Sequence, residues 1–167
     1  MNNSELKITY LINTKEYNYH KRLIDDFVKV TGGSVIDMGD GTDPGLRYRE
    51  IEDVRPDVII TFDLAGHVLR TGNDSLSLNN IYTRCAHILF HKPNHYGSDL
   101  KVRQNLSMFT YIPSGSDIDS VRIDYSEVPN IDEFVPVSYK SANDTEREEN
   151  TINIKRWWDV FCKEAML

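Results

Sequence analysis

Val58-Ile59-Ile60-Thr61-Phe62 constrains this chain more than any other segment. Three β-branched apolar residues in a row, then a threonine and an aromatic, show no alternation of polar and apolar positions. A strand that is apolar on both sides must be covered on both sides, and such strands belong to parallel sheets packed between helices. Pro56 stands just before it and closes off whatever helix precedes. The neighbouring segments have the matching periods. Leu6 to Ile12 is a short β-rich run, and Tyr19 to Val30 has helical spacing, with Leu23, Ile24, Phe27 and Val28 on one face. Gly32-Gly33 stops that helix. Ser34 to Met38 reads as a second strand, and Leu46 to Val54 as a second helix that packs Leu46, Ile51 and Val54. Alternation of this kind predicts an α/β fold, a three-layer Rossmann-like sandwich.

Further along, Gly66 to Leu78 holds a turn at Gly72-Asn73-Asp74 between two apolar stretches and reads as an inserted β-hairpin. Asn79 to Ala86 fits a short helix and His87 to Phe90 a fourth strand. Ser98 to Gln104 is helical, Leu106 to Ile112 is a fifth strand, Asp117 to Tyr125 a short helix and Phe134 to Val137 an edge strand. The count is about five mostly parallel strands. Ser138 to Asn150 is polar and charged and reads as a mobile linker within a single domain spanning 1–167. In 151–167, Ile154, Trp157, Trp158, Phe161, Ala165 and Met166 form a wide apolar stripe. That stripe either docks on the sheet or offers an aromatic face to a partner protein.

Charge narrows the function classes. The net charge is -7, with 26 acids against 19 lysines and arginines. Broad nucleic-acid binding needs a basic surface and is not expected. Ten acids face only Arg122, Lys140 and Arg147 between Ser116 and Asn150, so the rest of the chain is neutral overall. Within that rest, Arg84, Lys92, Lys101 and Arg103 stand near Asp99 alone, a local basic stretch compatible with an anionic ligand. The two cysteines, Cys85 and Cys162, are far apart and do not form a disulfide framework. With no signal-peptide core and no membrane-length apolar run, a cytoplasmic protein without membrane contact is expected.

In an open parallel sheet, ligands bind outside the carboxyl ends of the strands. The residues there are Asn13-Thr14, Asp37 with Gly39-Asp40-Gly41, Asp63, His91 and Ser114-Gly115-Ser116. Asp63 directly follows the strongest strand. A carboxylate in that position holds a ligand hydroxyl, orients a histidine or acts as a base, unless it merely caps the next turn. The expected ligand site therefore comprises Asp63, His91, Asn13, Thr14 and Ser114, with Arg84 and Lys92 as nearby cations; no residue is assigned a catalytic role. His87, His91 and His95 are spaced by four, which on a helix would suit a transition metal. On a strand, four residues span roughly 13 Å, and Pro93 breaks a helix, so no metal is expected. Gly39-Asp40-Gly41 with Gly45 lacks the dinucleotide spacing, and neither a Walker A sequence nor a G-x-S-x-G elbow occurs, so no cofactor is expected.

Arg55-Pro56-Asp57-Val58-Ile59-Ile60-Thr61-Phe62, with Ala86-His87-Ile88-Leu89-Phe90-His91 downstream, resembles the N-terminal Rossmann-like half of two-domain glycosyltransferases of the GT-B type. The resemblance covers about 40 residues and concerns architecture more than activity. In that family the sugar nucleotide is held mainly by the C-terminal half, so the resemblance implies a transferase only where a second chain supplies that half. Three functions follow as expectations. The first is a domain binding a small molecule, a nucleotide or sugar-like anion, without established catalysis. The second is a protein-interaction or regulatory module. The third is one subunit of a split glycosyltransferase-like enzyme.

Overall fold

A computed structural model describes residues 6–65, 84–90, 109–111 and 143–164. Within them lie five strands, β1 (Ile8–Ile12), β2 (Ser34–Asp37), β3 (Val58–Phe62), β4 (Arg84–Ile88) and β5 (Phe109–Tyr111), in the order β2-β1-β3-β4-β5. All four neighbouring pairs are parallel. Three helices accompany them: α1 (Tyr19–Thr31), α2 (Pro44–Val54) and α3 (Asp144–Glu164). The protein is thus an α/β protein built on a parallel sheet. Among the described residues, no helix is long and apolar enough to cross a membrane.

The pleat sorts the strands' side chains into two clusters, because successive residues point to opposite faces. Ile8, Tyr10, Ile12, Val58, Ile60, Phe62, Ala86 and Ile88 join Leu23, Ile24 and Phe27 of α1 and Ile154, Trp157, Trp158 and Phe161 of α3. The alternate positions Leu11, Ile36 and Ile59 join Tyr48 and Ile51 of α2, with Ala65. Burial of β1 and β3 at every position explains why Val58 to Phe62 shows no alternation.

Element ends follow local chemistry. Gly32 and Gly33 have φ of 72° and 109°, and a Cβ on Gly33 would stand 2.8 Å from the carbonyl oxygen of Ile8. Glycine is required there by conformation and by space. Helix α2 begins at Pro44, two residues before the position expected from apolar spacing. The Asp43 side chain accepts from the Gly45 N–H at 2.8 Å, and proline suits the first helical position. Strand β4 runs from Arg84 to Ile88, against an expected helix up to Ala86 and a strand over His87 to Phe90. Pairing decides this: Arg84 lies opposite Val58 and Ile88 opposite Phe62, so the ladder begins and ends with β3.

Helix α3 starts at Asp144, so 144–150, expected as linker, are its first two turns. Arg147 in that stretch reaches the buried Asp26 of α1 at 3.0 Å and ties these turns to the fold. The aromatic stripe faces inward, with Trp157, Trp158 and Phe161 no more than 1% exposed. Trp157 meets Phe27 edge to face at 5.5 Å and stacks with Phe161 at 5.7 Å. Of the two roles expected for that stripe, docking is the one observed for Ile154, Trp157, Trp158 and Phe161, while Ala165 and Met166 lie outside the described residues. The inserted hairpin and the segments 98–104, 117–125 and 134–137 lie outside the described residues.

Candidate functional site

Helix α1 connects β1 to β2 on one side, while β3 pairs with β1 on its other side. The chain therefore changes winding direction between β1 and β3. The connections that leave these two strands run in opposite directions, and a crevice at such a switch point is the usual ligand position in sheets of this order. Asn13 and Thr14 leave β1 at this point, and Asp63 leaves β3.

Asp63 and Leu64 form the centre of a tight turn closed by the Ala65 N–H on the Phe62 carbonyl at 2.9 Å. Both have left-handed backbones, with φ of 50° and 56°. Non-glycine residues in that region are strained by about 1–3 kcal/mol each and persist only where surrounding contacts enforce them. The enforcement is visible. Leu64 is 1% exposed and Asp63 3% exposed. The Asp63 N–H donates to the Ile88 carbonyl at 2.8 Å. One carboxylate oxygen, Oδ1, accepts the Phe90 N–H at 2.8 Å. The other, Oδ2, accepts the Tyr19 hydroxyl at 2.5 Å and His20 Nε2 at 2.8 Å.

His20 is fully buried, and its tautomer follows from its partners. Its Nδ1 receives the Asn13 N–H at 3.1 Å. A backbone amide can only donate, so Nδ1 carries the lone pair and Nε2 the proton. A continuous chain of hydrogen bonds thus runs from the end of β1 through His20 and Asp63 to the segment after β4. Through its side chain Asp63 joins three separate parts of the fold. Both of its oxygens accept hydrogen bonds from the protein.

The β1–α1 and β2–α2 loops are joined in a similar way. The Asp37 carboxylate accepts the N–H and hydroxyl of Thr14, and the N–H of Gly39 at 2.9 Å. Partial burial works against its charge. The Thr14 hydroxyl, the Gly39 and Thr14 amides and the Arg47 guanidinium outweigh that effect and hold it below the ordinary carboxylate value. A Cβ on Gly39 would lie 2.4 Å from Asn13 Oδ1, so the two loops touch there. Asn13 Oδ1 also accepts the Glu16 N–H at 2.9 Å. Arg47 is paired with Asp40 and, at 2.7 Å, with Glu50.

Of the residues expected at the site, Asn13, Thr14 and Asp63 stand together at the carboxyl ends of β1 and β3. Arg84 opens β4 opposite Val58, at the amino end of the strand pair, so its backbone is at the far end of the sheet from Asp63. His91, Lys92 and Ser114 lie outside the described residues. His87, considered as a metal ligand with His91 and His95, sits inside β4 and shares a 2.6 Å hydrogen bond between its Nδ1 and Thr61 Oγ1; His91 and His95 lie outside the described residues. Sequence reasoning did not single out Tyr19 and His20, which read as ordinary helix residues. The available signal was His20 itself, an imidazole standing three and four positions before Leu23 and Ile24 on the apolar stripe of α1. Neither a family model, a curated protein nor a solved structure matches this chain, so the reading of the site rests on its own geometry.

Proposed function

We propose that this chain is a small-molecule binding domain, and that its ligand, a nucleotide or sugar-like anion, sits at the carboxyl ends of β1 and β3. The observation that carries the reading is the buried, strained Asp63 at the switch point, bonded by Tyr19, His20 and the Phe90 amide. Strain held in place by a polar network at a strand end is a common mark of a binding or catalytic centre. Glu16, in the loop after β1, is exposed and offers a carboxylate to ligand hydroxyls, whereas Asp37 is taken up by Thr14 and Gly39, Asp40 by Arg47 and Asp43 by the Gly45 amide. Lys15 in the same loop, with Lys21 in the first turn of α1, supplies positive charge for an anionic group.

The wider architecture in this proposal is a three-layer Rossmann-like sandwich. The two apolar clusters, one with α1 and α3 and the other with α2, support it. Likeness to the N-terminal half of GT-B glycosyltransferases belongs to the same proposal, as kinship of architecture. The test is a titration of the labelled protein with a nucleoside diphosphate and with a hexose 1-phosphate, followed by amide chemical shifts. Shifts centred on Asn13 to Lys21 and Asp63 to Ala65 are expected. Shifts confined to other parts of the chain, or none at millimolar ligand, overturn the assignment.

A further inference from the structure

The last peptide group of β1 is held at both ends. The Ile12 carbonyl accepts the Met38 N–H at 2.7 Å, from the segment that follows β2. The Asn13 N–H of the same planar group donates to His20 Nδ1 at 3.1 Å. A peptide unit turns as one plate, so neither bond is given up by rotation without disturbing the other. Asn13 adds two further ties: its carbonyl accepts the Tyr17 N–H at 2.9 Å, and its Oδ1 accepts the Glu16 N–H at 2.9 Å. The end of β1 is thus tied to one lone pair of a fully buried imidazole.

Histidine is the side chain whose charge changes most readily near neutral pH. A second proton enters His20 at Nδ1, since Nε2 already holds one toward Asp63. Both nitrogens of an imidazolium donate, so turning the ring over returns no acceptor to Asn13. Two N–H donors would then face each other where one bond had been. Charge pulls the other way on the far side of the ring. The Asp63 carboxylate, 2.8 Å from Nε2, holds a charged ring more strongly than a neutral one. A ring that gains a proton therefore stays on Asp63 and loses the Asn13 amide. Among the described residues, the titratable groups facing His20 are Asp63 beyond β3 and the phenols Tyr17 and Tyr19, whose ring centres lie 5.0 Å away. Glu16 stands one step further, bonded to the Asn13 side chain. The Phe62 ring, at 5.7 Å, faces His20 from β3 and carries no charge.

We infer that His20 is a proton-sensitive latch on the end of β1: the neutral ring holds the Ile12–Asn13 peptide in place, and the protonated ring releases it. Release turns the Asn13 N–H away from the ring and draws the Ile12 carbonyl off Met38, so the change reaches the segment after β2 as well. Asp37, which holds Thr14 and Gly39, is kept below the ordinary carboxylate value, so that link between the loops persists in mild acid. The latch goes beyond the proposed ligand and does not need it.

The experiment follows amide and imidazole nitrogen resonances of the full chain from about pH 8 to about pH 5. The His20 nitrogens report when the second proton arrives. The Asn13 and Met38 amide protons should move upfield, as lost hydrogen bonds do, with the same midpoint. His20→Asn presents a side-chain oxygen to the Asn13 amide and has no proton to gain, so it should abolish that midpoint at both positions. Melting curves show whether the variant folds; if it does not, the matched midpoints in the wild type decide. Asn13 and Met38 amides that stay put while His20 takes its second proton overturn the latch, as does a midpoint that survives in a folded His20→Asn. A ring that remains singly protonated until the chain unfolds overturns it too. None of these outcomes touches the ligand reading, which stands or falls by its own titration.

Discussion

Replacing Asp63 by Asn tests the hydrogen-bond chain with little change in shape. Asparagine tolerates a left-handed backbone at least as well as aspartate, so the turn at φ of 50° is preserved. The amide, however, has one oxygen where the carboxylate has two. With its oxygen toward Oδ1's place it accepts the Phe90 N–H and turns its NH2 toward His20 Nε2–H. Flipped, it serves His20 and faces the Phe90 N–H. The Tyr19 hydroxyl can rotate to accept, but His20 cannot reverse, because the Asn13 N–H occupies Nδ1. One buried donor is therefore left unmatched in either orientation, at about 1–3 kcal/mol, and the remaining bonds lose roughly another 1 kcal/mol of charge assistance. The sum is about 2–4 kcal/mol, which for a chain of this length lowers Tm by roughly 5–15 °C. Thermal melts followed by near-ultraviolet circular dichroism, with urea unfolding as a second measure, give the number. Tyr19→Phe is the control: Asp63 then keeps His20 and Phe90 as donors, and the expected cost is only about 1 kcal/mol. A Tm for Asp63→Asn within about 1 °C of wild type would refute the chain of bonds as described, as would a Tyr19→Phe loss equal to that of Asp63→Asn.

Asp37 predicts an acid dependence. Its folded pKa lies below the ordinary 3.8, so its stabilising contribution is present above that value and is lost as pH falls through the folded pKa. Wild type should exceed Asp37→Asn in stability at pH 6, and the gap should close below 3.8; a gap that stays constant in urea titrations down to pH 3 contradicts this. Trp157 is 0% exposed, so Trp157→Ala should cost about 3–5 kcal/mol, and deletion of 151–167 should give insoluble or molten protein; a truncated chain that unfolds cooperatively would show that α3 is dispensable. Burial, and after it the nearby Asp159, pushes the Cys162 thiol up to about 11. In a Cys85→Ser background its labelling at pH 8 should be on the order of a hundredfold slower than that of a free thiol, and labelling at the free-thiol rate would contradict this burial.

How much of this was legible in the amino-acid order depends on the range of the forces involved. Strand β3 was readable to the residue, because an unbroken apolar run bounded by Pro56 and Asp63 has few other solutions. Helix α1 was readable from Leu23, Ile24, Phe27 and Val28 and from the Gly32-Gly33 stop. Strand β4 was misplaced because Arg84 and Cys85 have no strand signature of their own; they are strand because Val58 and Ile59 stand opposite. The early start of α3 escaped for a related reason. Seven residues of mostly charged composition look like linker until Arg147 finds Asp26, 121 positions earlier in the chain.

Asp63 could be named in advance as the residue at the end of the strongest strand, since its place depends on local order alone. Its role could not be. Local reasoning left it to hold a ligand hydroxyl, orient a histidine, act as a base or cap its turn, and could not say which groups it would meet; its side-chain partners include Tyr19, His20 and the amide of Phe90, 44, 43 and 27 positions away. Hydrophobic periodicity is written into consecutive residues and specifies which segments are strand and which are helix. Hydrogen-bond partnership in a buried network depends on strand order. The placement of β3 between β1 and β4 brings these groups within 3 Å of one another.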